Sequence, residues 1–257
     1  MAKIMGIINV TPDSFWSGSR VQDRQTLVER VRLMVSQGAD AIDLGGCSTR
    51  PGSVPVSGEE EMERLQWGLD IIRDSFPDLI VSVDTFRPQI ASRCVEDWGV
   101  SIINDVYGGY DEMYRTVAET GACYVLSFSE KCVKDPVGEM ISFFADRIPQ
   151  MENAGVDVSE RVILDPGFGF GKNLEQNYEI LAGMDRLQEF GLPVMAGVSR
   201  KSMAFRLLDI TPKESLNATT VLNTLSLLRG AEWLRVHDVL EAVQVVKLFG
   251  MYNGFLV

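Results

Sequence analysis

The stretch Leu79-Ile80-Val81-Ser82-Val83-Asp84-Thr85 decides the fold class. Short and rich in β-branched residues, it reads as a strand, and the longer amphipathic stretch after it reads as a helix. Side chains alternate along a strand with period two, so Ser82 and Asp84 share one face at its carboxyl end. Working outward, the same unit recurs across the chain: candidate strands cover residues 3–10, 41–45, 79–85, 101–106, 122–128, 162–165, 193–199 and 233–237, each followed by a helical segment. That alternation predicts α/β with a parallel sheet. Even spacing without a linker, repeat or composition break favours one closed (β/α)8 TIM barrel over residues 1–257, rather than a doubly wound open sheet.

Some helix signals are explicit. Thr211-Pro212-Lys213-Glu214 has a capping residue, a proline suited to the first helical position and a glutamate that completes a capping box. Residues 22–37 carry Val28, Val31, Leu33 and Val35 and stop before Gly38. The helix expected at 214–229 bears Val221, Leu222, Leu225 and Leu228, which suits either a subunit contact or packing onto the barrel.

Of 257 residues, 46% are hydrophobic, enough for a sizeable core, and the net charge is −12. Such a surface repels nucleic acid and anionic membranes, so any bound anion needs locally gathered cations. Cys47, Cys94, Cys123 and Cys132 form no CxxC pair, which points to reduced thiols in the cytoplasm rather than a zinc knot or disulfide framework. No apolar run reaches membrane-spanning length and no export signal is visible.

Polar residues fall at strand ends, where an α/β sheet collects ligands: Asn9, Asp84, Asn104 with Asp105, Asp165, Ser199-Arg200-Lys201, and Arg235 with His237. A single such carboxylate often caps the next helix. Agreement at six strand ends instead predicts a ring around one mouth. Asp84, Asn104 and Asp165 offer acceptors to a flat heterocycle with a guanidine-like edge, while Lys201, Arg235 and His237 offer donors to a phosphate. The alternative for Arg235 is a surface pair with Asp238 or Glu241. His237 is the only histidine, so a His-based metal cluster is excluded.

The run Asp165-Pro166-Gly167-Phe168-Gly169-Phe170-Gly171-Lys172 fits neither nucleotide-loop template; its alternating glycines suit a tight turn that lets backbone and Phe170 approach a flat ligand. Phe168 and Phe170 read equally well as core. Two long Ser/Gly/Pro-rich loops, 11–20 and 46–58, are candidate lids.

On these residues the chain resembles dihydropteroate synthase from end to end. The resemblance rests on Asn9-Val10-Thr11-Pro12-Asp13-Ser14-Phe15, on Gly45-Gly46 with Ser48-Thr49-Arg50-Pro51-Gly52, and on Ser82-Val83-Asp84-Thr85. It continues through Asn104-Asp105, the run 165–172, Ser199-Arg200-Lys201 and Arg235-Val236-His237-Asp238. It implies a (β/α)8 barrel, a homodimer, and condensation of 4-aminobenzoate with 6-hydroxymethyl-7,8-dihydropterin diphosphate to 7,8-dihydropteroate and pyrophosphate. By resemblance, Asp84, Asn104, Asp165 and Lys201 go to the pterin, and Arg235 and His237 to the diphosphate, with Asn9 acting through Mg2+. Phe170, Pro51 and Ser202 go to aminobenzoate. Thr49 and Arg50 close the site, and Asp13 and Phe15 join the substrate-binding set; because this chain departs from the family pattern in these loops, Arg50 is expected to find another carboxylate, Asp13, when they close. Sulfonamides, which mimic aminobenzoate, are then expected to compete.

Three departures from the family pattern stand out: Trp16-Ser17-Gly18-Ser19-Arg20 where a second Asp is usual, Cys47 where Glu is usual, and Ser127-Phe128 where Met-His is usual. Two rival readings are a pterin-dependent methyltransferase and a non-catalytic pterin-binding paralogue.

Overall fold

A computed structural model describes residues 1–10, 20–47 and 56–254. Strands and helices alternate: β1 (Lys3–Asn9), α1 (Arg20–Gln37), β2 (Ala41–Gly45), α2 (Gly58–Ser75), β3 (Ile80–Asp84), α3 (Pro88–Trp98), β4 (Ile102–Asp105) and α4 (Asp111–Thr120). Then come β5 (Cys123–Ser127), α5 (Pro136–Asn153), the short α6 (Val158–Arg161), β6 (Val162–Asp165), α7 (Leu174–Gly183) and a 3-10 stretch (Met184–Phe190). The chain continues through β7 (Met195–Ala196), the short α8 (Ser202–Phe205), α9 (Leu216–Leu228), β8 (Trp233–Val236) and α10 (Val239–Asn253).

All strand pairings are parallel, in the order β6-β5-β4-β3-β2-β1-β8-β7. Between β6 and β7 one bridge, Leu164 to Val194, completes the ring, with the Leu164 N–H donating to the Pro193 carbonyl at 2.9 Å. This is the expected (β/α)8 barrel. β7 is shorter than its sequence suggests because Pro193 brings no N–H and the chain turns after Gly197, where the Lys201 N–H reaches back to the Val198 carbonyl.

Strand parity sorts the core into two parts. One side of each strand packs under the helices in a large apolar cluster that includes Ile8, Leu44, Val83, Ile103, Leu126, Leu164 and Val236. The other side points into the barrel, where Met5, Ala41, Ile102, Val125, Ile163, Met195 and Trp233 form a separate apolar floor. Two residues further along, the inward positions on β2, β4, β5, β6 and β8 are polar (Asp43, Asn104, Ser127, Asp165 and Arg235), so the floor supports the mouth.

Two sequence expectations need correcting. In α1 the buried stripe is Leu27, Val31 and Met34, while Leu33 and Val35 face solvent. Spacings of four and three keep the first three on one helix face, and 33 and 35 fall off it. At Thr211 only half of the box forms: the Glu214 carboxylate accepts from the Thr211 N–H and hydroxyl, while the Glu214 N–H donates to the Thr211 carbonyl and not to its side chain, so the segment closes a turn and α9 starts only after Ser215.

Candidate active site

Inward parity at the carboxyl ends brings together Asn9, Gly45, Asp84, Asn104, Ser127, Asp165 and Arg235. Register sets neighbours side by side: Asn9 against Gly45, Gly45 against Asp84, Asp84 against Asn104, and Ser127 against Asp165. Gly45 leaves room for the Asn9 side chain: a Cβ at that position would sit 2.7 Å from Asn9 Oδ1 and displace it.

The centre of the network is a residue that sequence reasoning missed. Asp43, fully buried on β2, accepts from Ser82 Oγ at 2.6 Å, from Asn104 Nδ2 at 3.0 Å and from Arg235 Nε at 2.7 Å. Arg235 reaches on to Asp84 Oδ2 through Nη2 at 2.9 Å. The guanidinium therefore bridges two carboxylates inside the barrel, and the alternative of a surface pair with Asp238 or Glu241 is overturned. Burial pushes the Asp84 carboxyl up to about 7; Arg235 opposes this, and the Asp43 charge adds to it. Asn104 Oδ1 is buried with no hydrogen-bond partner among the described residues.

Asp165 ends β6. Its Oδ1 accepts the Gly167 N–H at 2.9 Å and its Oδ2 accepts from Ser127 Oγ at 3.4 Å. Beyond it the glycine-rich run turns sharply, with Gly167 at φ +66 and Gly169 at φ +84, and a Cβ on Gly167 would lie 2.0 Å from the Phe128 carbonyl oxygen. Lys172 fixes this turn: its ammonium donates to the carbonyls of Phe128 (2.6 Å), Gly167 (3.0 Å) and Phe170 (3.0 Å) and lies 4.3 Å from the Phe128 ring centroid. Lys201 Nζ bonds to the Phe168 carbonyl and stands 4.8 Å over the Phe170 ring. Burial brings both ammonium groups down to about 8. The two phenylalanines thus divide: Phe168 is core, and Phe170 is half-buried beside Lys201.

After β8, His237 is half-buried, and its backbone N–H donates to Ser199 Oγ at 3.1 Å. Ser202 is half-buried at the start of α8, next to Lys201. Two strand-end residues leave the ring. Asp105 follows Asn104, so it points to the opposite face, where its carboxylate accepts from Tyr124 Oη at 2.9 Å and the Tyr107 N–H at 2.9 Å. Arg200, at φ +52, grips Asp238 with two 2.8 Å bonds and the carbonyls of Pro212 and Lys213. Asp13, Phe15, Thr49, Arg50 and Pro51 lie outside the described residues. The Ser127-Phe128 departure leaves a hydroxyl beside Asp165 and a fully buried ring packed on Phe143.

Among the described residues no three His, Cys, Asp or Glu side chains gather as a metal cluster. Among the described residues the arrangement offers buried acceptors on β3, β4 and β6, cations beside them on β8 and after β7, and no activated nucleophile.

Comparison with known proteins agrees with this chemistry. The family described as pterin binding enzyme matches residues 5–237. Dihydropteroate synthase of Escherichia coli strain K12 is 37% identical over 255 residues, spanning 95% of this chain and 89% of that protein. Among solved structures, the Xanthomonas albilineans dihydropteroate synthase with 4-aminobenzoic acid superposes with a TM-score of 0.90 at 35% identity, covering 98% of this chain and 93% of that one. The same organism's enzyme in complex with 7,8-dihydropteroate gives 0.88 at 33% identity, covering 98% and 94%.

Proposed function

This chain belongs to the dihydropteroate synthases of the pterin-binding enzyme family, and from that premise we propose which of its residues perform the reaction. It is a transferase of folate synthesis, moving a pterin-methyl group from 6-hydroxymethyl-7,8-dihydropterin diphosphate to 4-aminobenzoate. The pterin ring enters the acceptor side of the mouth. Asp165 and Asn104 Oδ1 take N–H donors of its guanidine-like edge, Asp84 and Lys201 hold the adjoining ring atoms, and Phe170 lies against the ring. The observation that carries this reading is the buried Asn104 oxygen between the Asp84 and Asp165 strands, without a hydrogen-bond partner among the described residues: such an acceptor costs about 1–3 kcal/mol until a donor meets it.

On the other side, Arg235 and His237 draw the diphosphate. The C–O bond to the leaving group breaks first, the electron-rich pterin carries the cationic methylene, and the Asp84 and Asp165 carboxylates stabilise that charge. Arg235 and His237 take up the charge of the departing pyrophosphate. The aminobenzoate amine then attacks from the side of Phe170, Ser202 and Pro51, with Thr49, Arg50, Asp13 and Phe15 closing over it. The donor set fits Mg2+ brought in by the substrate, since that ion commonly takes one or two protein oxygens plus phosphates and water, and Asn9 Oδ1 supplies one beside Gly45. When bound, Mg2+ would add positive charge at the diphosphate.

The protein acts as one domain over residues 1–257 in the cytoplasm and pairs as a homodimer; among the described residues no helix is long and apolar enough to cross a membrane. Exposed Val221, Leu225 and Leu228 of α9 and Leu248, Met251 and Tyr252 of α10 support the pairing, because α9 and α10 pack side by side. Sulfonamides compete with aminobenzoate.

Pyrophosphate release from the pterin diphosphate with Mg2+ tests the activity. Release that depends on aminobenzoate is expected. Binding without release would favour the non-catalytic paralogue, and methyl transfer from a methylated tetrahydropterin would favour the methyltransferase.

A further inference from the structure

Asp43 has no place in the reaction as described, yet its carboxylate accepts from three side chains inside the barrel. It sits on the inward face two residues below Gly45, beneath the level of Asp84 and Asn104, so substrate does not reach it. We propose that Asp43 is a positioning residue for substrate specificity: by accepting from Nδ2 of Asn104, it fixes that amide with Oδ1 towards the ring-binding space, and so selects a heterocycle with an amino group on its edge.

An asparagine amide fits almost equally well with oxygen and nitrogen exchanged, so something must choose. Here the choice is made from below. Asp43 Oδ2 accepts Asn104 Nδ2 at 3.0 Å and Arg235 Nε at 2.7 Å, while Oδ1 is committed to Ser82. Turning the amide over would set Asn104 Oδ1 against the Asp43 carboxylate, acceptor facing acceptor. The preferred orientation leaves Oδ1 buried and without a partner among the described residues, a vacancy that an N–H donor fills. A pterin carries an amino group at ring position 2. A lumazine has the same bicycle with an oxygen there, and meets Asn104 acceptor to acceptor.

This inference rests on the pterin reading, and the experiment separates the two. Binding of 6-hydroxymethylpterin and of 6-hydroxymethyllumazine is measured by titration calorimetry on wild type, Asp43→Ala and Asp43→Asn, with melting curves to confirm folding. Wild type favours the pterin by two orders of magnitude or more, as expected of a site built around one donor; no preference would sink the pterin reading itself. Asp43→Ala lets the amide turn and loses at least about tenfold of the preference, whereas Asp43→Asn, which still offers an acceptor oxygen, holds it to within about threefold. A folded Asp43→Ala with the wild-type ratio, or an Asp43→Asn that falls as far as Ala, overturns the proposal. Should Asp43→Ala fail to fold because Arg235 is left as a buried unpaired charge, the double variant Asp43→Leu/Arg235→Leu removes both charges and reads the same ratio.

Discussion

Replacing Asp165 by asparagine tests the acceptor side of the mouth with little disturbance of the fold. Asp165 is buried, and its two oxygens have different duties: Oδ1 is tied to the Gly167 N–H at 2.9 Å, while among the described residues Oδ2 has a long 3.4 Å contact from Ser127 and so has capacity left for substrate. Asparagine keeps an oxygen for Gly167 and turns its NH2 towards Ser127, whose hydroxyl rotates to accept, so stability changes by no more than about 1 kcal/mol. Substrate fares worse. A carboxylate accepting from a guanidine-like edge makes charge-assisted bonds worth about 1.5–3 kcal/mol each, and asparagine both removes the charge and offers a donor where an acceptor is needed. Taking about 4 kcal/mol for the pair, kcat/KM for the pterin diphosphate falls by roughly 10³, with the KM for aminobenzoate little changed. Pyrophosphate release at saturating aminobenzoate measures it. A folded Asp165→Asn that keeps kcat/KM within about tenfold of wild type would refute the assignment of Asp165 to the ring edge.

Other consequences are equally direct. Asp84, raised to about 7 by burial, must ionise to serve the pterin, so kcat/KM declines as pH falls through about 7. In stability the sign is opposite: the folded state holds this proton more tightly than the unfolded chain, whose carboxyl titrates near ~4, so the contribution is present below about 4 and lost as pH rises through about 7. The stability of wild type relative to Asp84→Asn, followed by urea unfolding, therefore declines over that window; a constant difference contradicts the shift. Gly167→Ala and Gly191→Ala make a matched pair, both at φ +66, but a Cβ at 167 lies 2.0 Å from the Phe128 carbonyl and at 191 meets nothing within 4 Å. Unfolding experiments should show about 1–2 kcal/mol lost at 191 and more than about 3 at 167; equal losses would mean that the close approach to Phe128 carries no cost. Leu225→Glu places a charge on the exposed apolar face of α9 and should shift sedimentation towards monomer, and an unchanged dimer at the same concentration would place the subunit contact elsewhere.

What was legible in the sequence was the part governed by period and punctuation. The bounds of β2 and β6 follow from Gly45 and from Pro166; period two sets Asp84 with Ser82 on one face, and strand-end position marks Asn104, Asp165 and Arg235. The same rule, applied one step further, separates Asp105 from Asn104. Asp43 is not marked by strand-end position, because it lies in mid-strand between Ile42 and Leu44; a carboxylate inside an apolar strand, in phase with Gly45, is the available signal. Lys172 carries no local signal of its role, since a clamp between carbonyls of two loops is a tertiary fact with no local pattern. Thr211 to Glu214 differs for a related reason: the Glu214 carboxylate satisfies the Thr211 N–H in a turn as it would in a helix. In α1, apolar residues on more than one face left the buried stripe undetermined until the barrel wall selected Leu27, Val31 and Met34.

The central claim is that one mouth holds the ring among its acidic groups and the diphosphate among its basic ones. A crystal structure of the protein with the pterin diphosphate and Mg2+ addresses it most directly. The expected density sets the ring edge within hydrogen-bond distance of Asp165 and Asn104 Oδ1, with the phosphates at His237 and Arg235. A ring bound away from Asp84, Asn104 and Asp165, or phosphates on the opposite side of the barrel from His237, would contradict it.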